Sequence, residues 1–161
     1  MGWFILCRIW FSDTGIRKCR DIGILLGLTV TLEPSATAKL ADNDNFSRDK
    51  LYEKINLTLS NANYLQAQNK ISNLRMEVVV TNIRVRSVAA AILLGFLAGA
   101  DYITGQVYAK DADKVIDNFE VVISYAFGGA LGETEARMSW MYESFATKIL
   151  EEMKKLMPMT K

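Results

Sequence analysis

The chain has 161 residues, half of them hydrophobic and 23% charged, with a net charge of +1. That length and composition fit one globular domain able to bury a core, and they exclude a disordered chain, which needs lower hydrophobicity and a larger net charge. The near balance of charge argues against a nucleic-acid partner, and the lack of histidine removes the commonest general base, the commonest transition-metal ligand and every histidine-containing triad.

Residues 1–20 form a poorly specified extension. Trp3 to Cys7 is apolar, but Arg8 interrupts it before Ile9, Trp10 and Phe11, far short of the roughly 20 apolar residues that a membrane-spanning helix needs. Three readings are open: a peripheral anchor seating Trp3, Phe4, Trp10 and Phe11 at a membrane interface, a packing extension, or a segment outside the mature protein. The third is preferred, because the stretch has neither turn logic nor clean periodicity. Cys7 and Cys19 make no CxxC pair and so no zinc motif; a bridge and two free thiols both fit the count. Residues before Cys7 lack the small side chain usual at a lipid-attachment site.

Arg17, Lys18 and Arg20, the apolar run from Ile22 to Leu32, and Ala36-Thr37-Ala38 have the layout of a secretory signal. Asp21 and Glu33 interrupt that layout. The same residues make a β-strand from Ile24 to Leu32, ended by Pro34, and the strand is the preferred reading. From residue 21 to 161 the chain then reads as a single domain.

Asp42 to Asn45 is a loop cluster. Ser47 is a good helix N-cap, with Phe46 and Leu51 placed as a hydrophobic staple around it. Leu51, Ile55 and Leu59 recur every four residues, which predicts a helix from Arg48 to Ala62 stopped by Asn61 to Asn63. Leu74, Met76, Val78 and Val80 alternate as a strand. The apolar phase then moves to Ile83 and Val85, so a bulge is expected near Thr81-Asn82. Arg84 and Arg86 would share one face there, as a solvated or salt-bridged edge.

Ser87 to Ala100 is apolar and rich in small residues, bounded by Arg86 and Asp101. At 14 residues it is too short to span a bilayer as a helix. Either it is a buried hairpin connection in which Gly95 and Gly99 permit turns, or an exposed apolar loop that docks on a membrane or partner. Its residues Val88, Ile92, Leu93, Leu94, Gly95, Phe96, Leu97, Gly99 and Asp101 are the candidate interaction surface.

Ile103, Gly105, Val107 and Ala109 alternate as a third strand, and Phe119, Val121, Ile123, Tyr125 and Phe127 as a fourth. The turn Asp111-Ala112-Asp113 makes them a hairpin. That turn lacks the glycine and distal glutamate of a calcium loop. Gly128 to Gly132 is read as a strand-to-helix turn: no phosphate-loop signature follows, and Glu133 and Glu135 complement the next helix's dipole while repelling an anion. Met138, Met141, Tyr142, Phe145, Ala146, Ile149, Met153 and Leu156 form the apolar stripe of a last helix ended by Pro158. The expected fold is a two-layer α+β sandwich of order βαβββα, a mostly antiparallel four-stranded sheet with two helices on one face.

Arg84-Val85-Arg86-Ser87, the run Leu94 to Asp101, Gly105, and Phe119-Glu120-Val121 leading into Gly128-Gly129 and an amphipathic last helix together carry a resemblance. From about Thr29 to Leu156 the chain resembles a family of bacterial cell-envelope proteins of unknown function, many of them small lipoproteins or secreted periplasmic proteins. The resemblance implies a location in the periplasm or at the outer membrane and a fold similar to the amino-terminal domain of TolB. It supplies no catalytic residue. The chain departs from the family at its amino terminus, where neither a clean signal nor a lipidation cysteine is visible, so a cytoplasmic location stays as the alternative.

The leading functional expectation is a non-catalytic envelope module, with no cofactor and no metal, that binds a protein partner or copies of itself, with peripheral membrane contact as a further use. One alternative is a carboxylate-dependent hydrolase on Asp101 and Glu120, which requires the two acids to share a pocket. Another is a small-molecule or lipid carrier with its ligand between the sheet and the last helix.

Overall fold

A computed structural model of the chain describes residues 25–40, 45–65, 73–86, 99–125 and 134–156. The elements in chain order are β1 (Gly27–Leu32), α1 (Pro34–Leu40), α2 (Arg48–Asn61), β2 (Leu74–Arg84), β3 (Asp101–Asp111), β4 (Lys114–Tyr125) and α3 (Thr134–Leu156). The strands lie side by side in sequence order in one sheet.

Two features differ from the expected sandwich. β1 pairs with β2 in parallel, Gly27 opposite Arg75 through Leu32 opposite Val80, so the sheet is mixed. The cause lies in the connection: parallel neighbours need a long crossover, usually helical, and residues 33–73 supply one. The second difference is α1. Pro34 ends the strand as expected, yet it also opens a helix, because at the first helical position its missing N–H is no loss and its fixed φ suits the turn. The Thr37 N–H donates to the Glu33 carbonyl at 2.9 Å, closing the first turn. Ser35 Oγ donates to the Thr81 carbonyl at 3.2 Å and ties α1 to β2.

The rest of the layout follows the pattern in the residues. Ser47 caps α2 in extended conformation, its side chain accepting from the Lys50 N–H at 3.2 Å, and Asn63 leaves the helix with φ of 60°. The β2–β3 register shifts between Val80 and Asn82. This keeps Met76, Val78, Val80 and then Ile83 on the buried face, as a one-residue bulge must when the phase changes. The hairpin turns at Ala112, whose φ is 50°. β4 begins five residues before Phe119 and its first five residues are exposed.

One face of the sheet is covered. Leu51, Ile55 and Leu59 of α2 and Met138, Met141, Tyr142, Phe145, Ala146, Ile149 and Met153 of α3 are buried with Val78, Val80, Ile103, Val107 and Val121 in one core. Leu156, the last member of the expected stripe, is exposed. Tyr142 is buried with its hydroxyl satisfied, since the oxygen accepts the Ser47 N–H at 2.7 Å, and its ring meets Phe46 edge-on with centroids 5.7 Å apart. Burial raises the Tyr142 pKa against the opposing pull of that hydrogen bond. Phe145 rests on Gly105, where an added Cβ would come within 2.9 Å of the ring's Cζ and 3.2 Å of the Val79 carbonyl oxygen. A strand glycine here permits close approach of helix and sheet.

Candidate functional site

The most distinctive chemistry among the described residues is a buried ionic cluster at one end of the sheet. Arg86 lies just past β2, Asp101 is the first residue of β3, and Arg137 stands in the first turn of α3. Relative exposures are 5%, 0% and 8%. Asp101 Oδ1 accepts the Arg86 backbone N–H at 2.7 Å and Arg86 Nε at 3.1 Å. Asp101 Oδ2 accepts Arg86 Nη2 at 3.4 Å and pairs with Arg137 Nη1 at 3.2 Å. Arg137 Nη2 donates to the Arg86 carbonyl at 3.0 Å.

One carboxylate therefore holds two guanidinium groups, and three elements meet on it. Removing these charges from water costs several kcal/mol per ion, which close pairing and charge-assisted hydrogen bonds offset. Counted alone, the three side chains carry one positive charge more than negative. Among the described residues, Arg86 Nη1 and Arg137 Nε are buried without a hydrogen-bond partner.

This cluster brackets the apolar connection between β2 and β3. Val88, Ile92, Leu93, Leu94, Gly95, Phe96 and Leu97 lie outside the described residues, while Gly99 and Asp101 lie within them. Asp101 is not part of an exposed surface; it is the buried centre of the cluster, because strand alternation places it with Ile103 and Gly105 on the core face. Gly99 has φ of +79°, and a Cβ there would come 3.0 Å from Arg84 Nη1, so glycine answers both a backbone and a steric demand. Arg84 and Arg86 part company: the first is exposed and the second buried.

The paired carboxylates expected for hydrolysis are separated. Glu120 is exposed and faces Gln106, whose Nε2 donates to it at 3.4 Å. Gln106 stands five positions along β3 from Asp101 and on the opposite face, which places the two acids roughly 16 Å apart along the strand. They share no pocket. Under α3, among the described residues, Met141, Phe145, Ile149 and Met153 are fully buried. A groove of about 640 Å³ lies instead between α2 and α3, lined by Ser47, Lys50, Lys54, Leu57, Glu135 and Tyr142 among others. Lys50 crosses it to Glu135 at 2.9 Å, and this exposed pair lowers the Glu135 pKa through its hydrogen bond first and its charge second.

Among the described residues, no group of three or more acidic or cysteine side chains is placed to hold a metal ion, and no helix is long and apolar enough to cross a membrane. Arg137 is not legible as a site residue in the sequence because its charge hides it beside the apolar stripe. Its spacing of four residues from Met141, which puts both on one helix face, is a signal for it.

Residues 18–129 match the model of DUF4410, a domain of unknown function. The chain belongs to that family. The DUF4410 match takes in Arg86 and Asp101 and ends before α3, so it leaves out Arg137. No curated protein matches the chain in sequence. Solved structures with a similar arrangement include the PelC dodecamer of Paraburkholderia phytofirmans, at 11% identity over 78% of this chain and 86% of that one, with a TM-score of 0.46. A candidate lipoprotein of Caulobacter crescentus is similar at 12% identity over 83% and 90%, with a TM-score of 0.47. A minor lipoprotein of Acinetobacter baumannii is similar at 14% identity over 83% and 91%, with a TM-score of 0.39.

Proposed function

We propose that this chain is a non-catalytic protein of the bacterial envelope, in the periplasm or at the outer membrane, that works as an interaction or assembly module. It docks a protein partner, or copies of itself, through the apolar connection between β2 and β3. The observation that carries this reading is the cluster of Asp101 with Arg86 and Arg137, which fixes both ends of that connection against α3. A docking segment gains affinity when its ends are held by a rigid frame, because less entropy is lost on binding. The apolar, small-residue composition of Val88 to Gly99 suits a surface that buries area against a partner. The envelope location rests on the sequence resemblance, and so does the fold relation to the TolB amino-terminal domain.

The separation of Asp101 and Glu120 disfavours the hydrolase, and the complete burial of Met141, Phe145, Ile149 and Met153 counts against the carrier. The test is a double replacement, Leu94→Ser with Phe96→Ser, read by light scattering and by fractionation of cells expressing the native gene. We expect a folded protein that loses self-association or partner association. A folded variant with unchanged association would refute the docking role, and a variant that unfolds would show that the segment is buried core.

A further inference from the structure

The sheet has two edges of different character. β1 is six residues long, the short kind of edge strand that resists further pairing. β4 is twelve residues long and contains no proline, and among the described residues no strand lies beyond it. It also holds three exposed large hydrophobic side chains, Val115 at 44%, Ile116 at 56% and Val122 at 48%. The direction of its outer backbone groups follows from the neighbouring strands. The Thr104 carbonyl accepts Thr81 Oγ1 at 3.3 Å and so points toward β2, and alternation then turns Ile103, Gly105 and Val107 toward β4. Their partners Ile123, Val121 and Phe119 exchange bonds with β3, which directs the N–H and C=O groups of Asn118, Glu120 and Val122 away from the sheet. The Asn118 N–H agrees with this, since it donates to its own neighbour, Asp117 Oδ1, at 2.8 Å.

We propose that β4 pairs antiparallel with β4 of a second copy of this chain, about a two-fold axis at Phe119, joining two four-stranded sheets into one. The strand is complementary to itself in that register. Ile116 and Val122 each stand three residues from Phe119, so the two-fold sets each of these exposed apolar side chains opposite the other. Asn118 and Glu120 each stand one residue from it, which sets an amide donor opposite a carboxylate acceptor twice over. Glu120 keeps an oxygen for that bond, because Gln106 Nε2 reaches only its Oε1, at 3.4 Å. Ile116 falls at the irregularity of the β3–β4 register, between Val115 opposite Lys110 and Asp117 opposite Ala109, where a bulge re-aims a side chain. The outward groups of Asn118, Glu120 and Val122 become ladder bonds, and Asp117 gives up the Asn118 N–H to the second copy. A two-fold contact closes on itself, so this pairing stops at a dimer. It uses a surface separate from the connection between β2 and β3 and does not rest on the docking role of that segment.

The experiment is sedimentation velocity of the whole chain over about a hundredfold range of concentration, with residue-resolved amide hydrogen exchange at the two extremes. The wild type should pass from monomer to dimer, and exchange at Asn118, Glu120 and Val122 should slow as the dimer forms. Val122→Lys, at an exposed position, should fold and should weaken the dimer about tenfold or more. Asn118→Lys, opposite Glu120 of the second copy, should tighten it about fivefold because the pair occurs twice, and adding Glu120→Lys should reverse that gain. If Val122→Lys does not fold, these two replacements, both at exposed positions, decide the question. A wild type that stays monomeric throughout overturns the pairing, as does a dimer that neither Val122→Lys nor Asn118→Lys alters. A dimer that Leu94→Ser with Phe96→Ser abolishes and Val122→Lys leaves alone belongs to the β2–β3 connection, and it overturns the β4 pairing while sparing the docking role.

Discussion

Replacing Asp101 by Asn tests whether one carboxylate holds the end of the sheet together. The side chain keeps its shape, and one oxygen can still accept from Arg86. What it loses is the negative charge that faces Arg86 Nε at 3.1 Å and Arg137 Nη1 at 3.2 Å. It also gains an amide N–H₂ directed at a guanidinium that has only donors to offer. Two arginines remain buried with no counter-charge between them. Breaking a buried pair by removing one partner costs about 3–5 kcal/mol. For a chain of this size each kcal/mol is worth about 2–4 °C, so Tm should fall by roughly 6–20 °C. Urea unfolding in chloride buffer should show a lower midpoint at unchanged slope, the signature of lost stability without a change in the surface exposed. A second variant isolates the cause. Asp101→Leu combined with Arg86→Met and Arg137→Met removes every charge together and should recover much of the loss, since apolar replacement of a whole buried ionic group is often neutral or stabilising. A single Asp101→Asn variant within about 1 kcal/mol of wild type would refute the account.

Two further outcomes follow from the core. Gly105→Ala should cost about 1–3 kcal/mol by overpacking, because its Cβ would meet Phe145 Cζ at 2.9 Å. Adding Phe145→Leu should return part of that loss, and simple additivity in the double-mutant cycle would count against the contact. Tyr142→Phe should cost about 1 kcal/mol, the worth of the lost hydrogen bond from the Ser47 N–H. It should also flatten the alkaline end of the stability curve. Burial raises the folded pKa of Tyr142 above its usual value, so the folded chain keeps a proton that the unfolded chain loses from about pH 10 upward. That contribution is whole below pH 10 and is lost as pH rises through the folded pKa. Tyr64 shifts in the same direction, so the slope should shrink and not vanish. An unaltered slope in denaturation curves between pH 9 and 11 would show that Tyr142 does not titrate this way.

Elements whose signals are local could be read from the residues alone. Ser47 and the four-residue spacing of Leu51, Ile55 and Leu59 placed α2 within one residue of its observed end, because capping and amphipathicity act within a few turns. The phase change between Val80 and Ile83 marked the bulge, since strand alternation tolerates no other remedy. The stripe of α3 was legible for the same reason, apart from Leu156, which is exposed. The remaining features depend on packing between distant segments. The direction of β1 depends on the long crossover that carries the chain back to β2, and no residue of β1 encodes that choice alone. Pro34 is compatible with both a strand end and a helix start, and packing of Ala36 against the core selects the helix. Glu120 and Asp101 looked alike in the chain, each an acid among apolar strand residues. Their opposite faces and their distance along the sheet send one into solvent and the other into the core. Arg86, Asp101 and Arg137 are separated by 15 and 36 positions, too far for any spacing rule to join them. Burial in common is what makes them a site, because charges excluded from water must find one another.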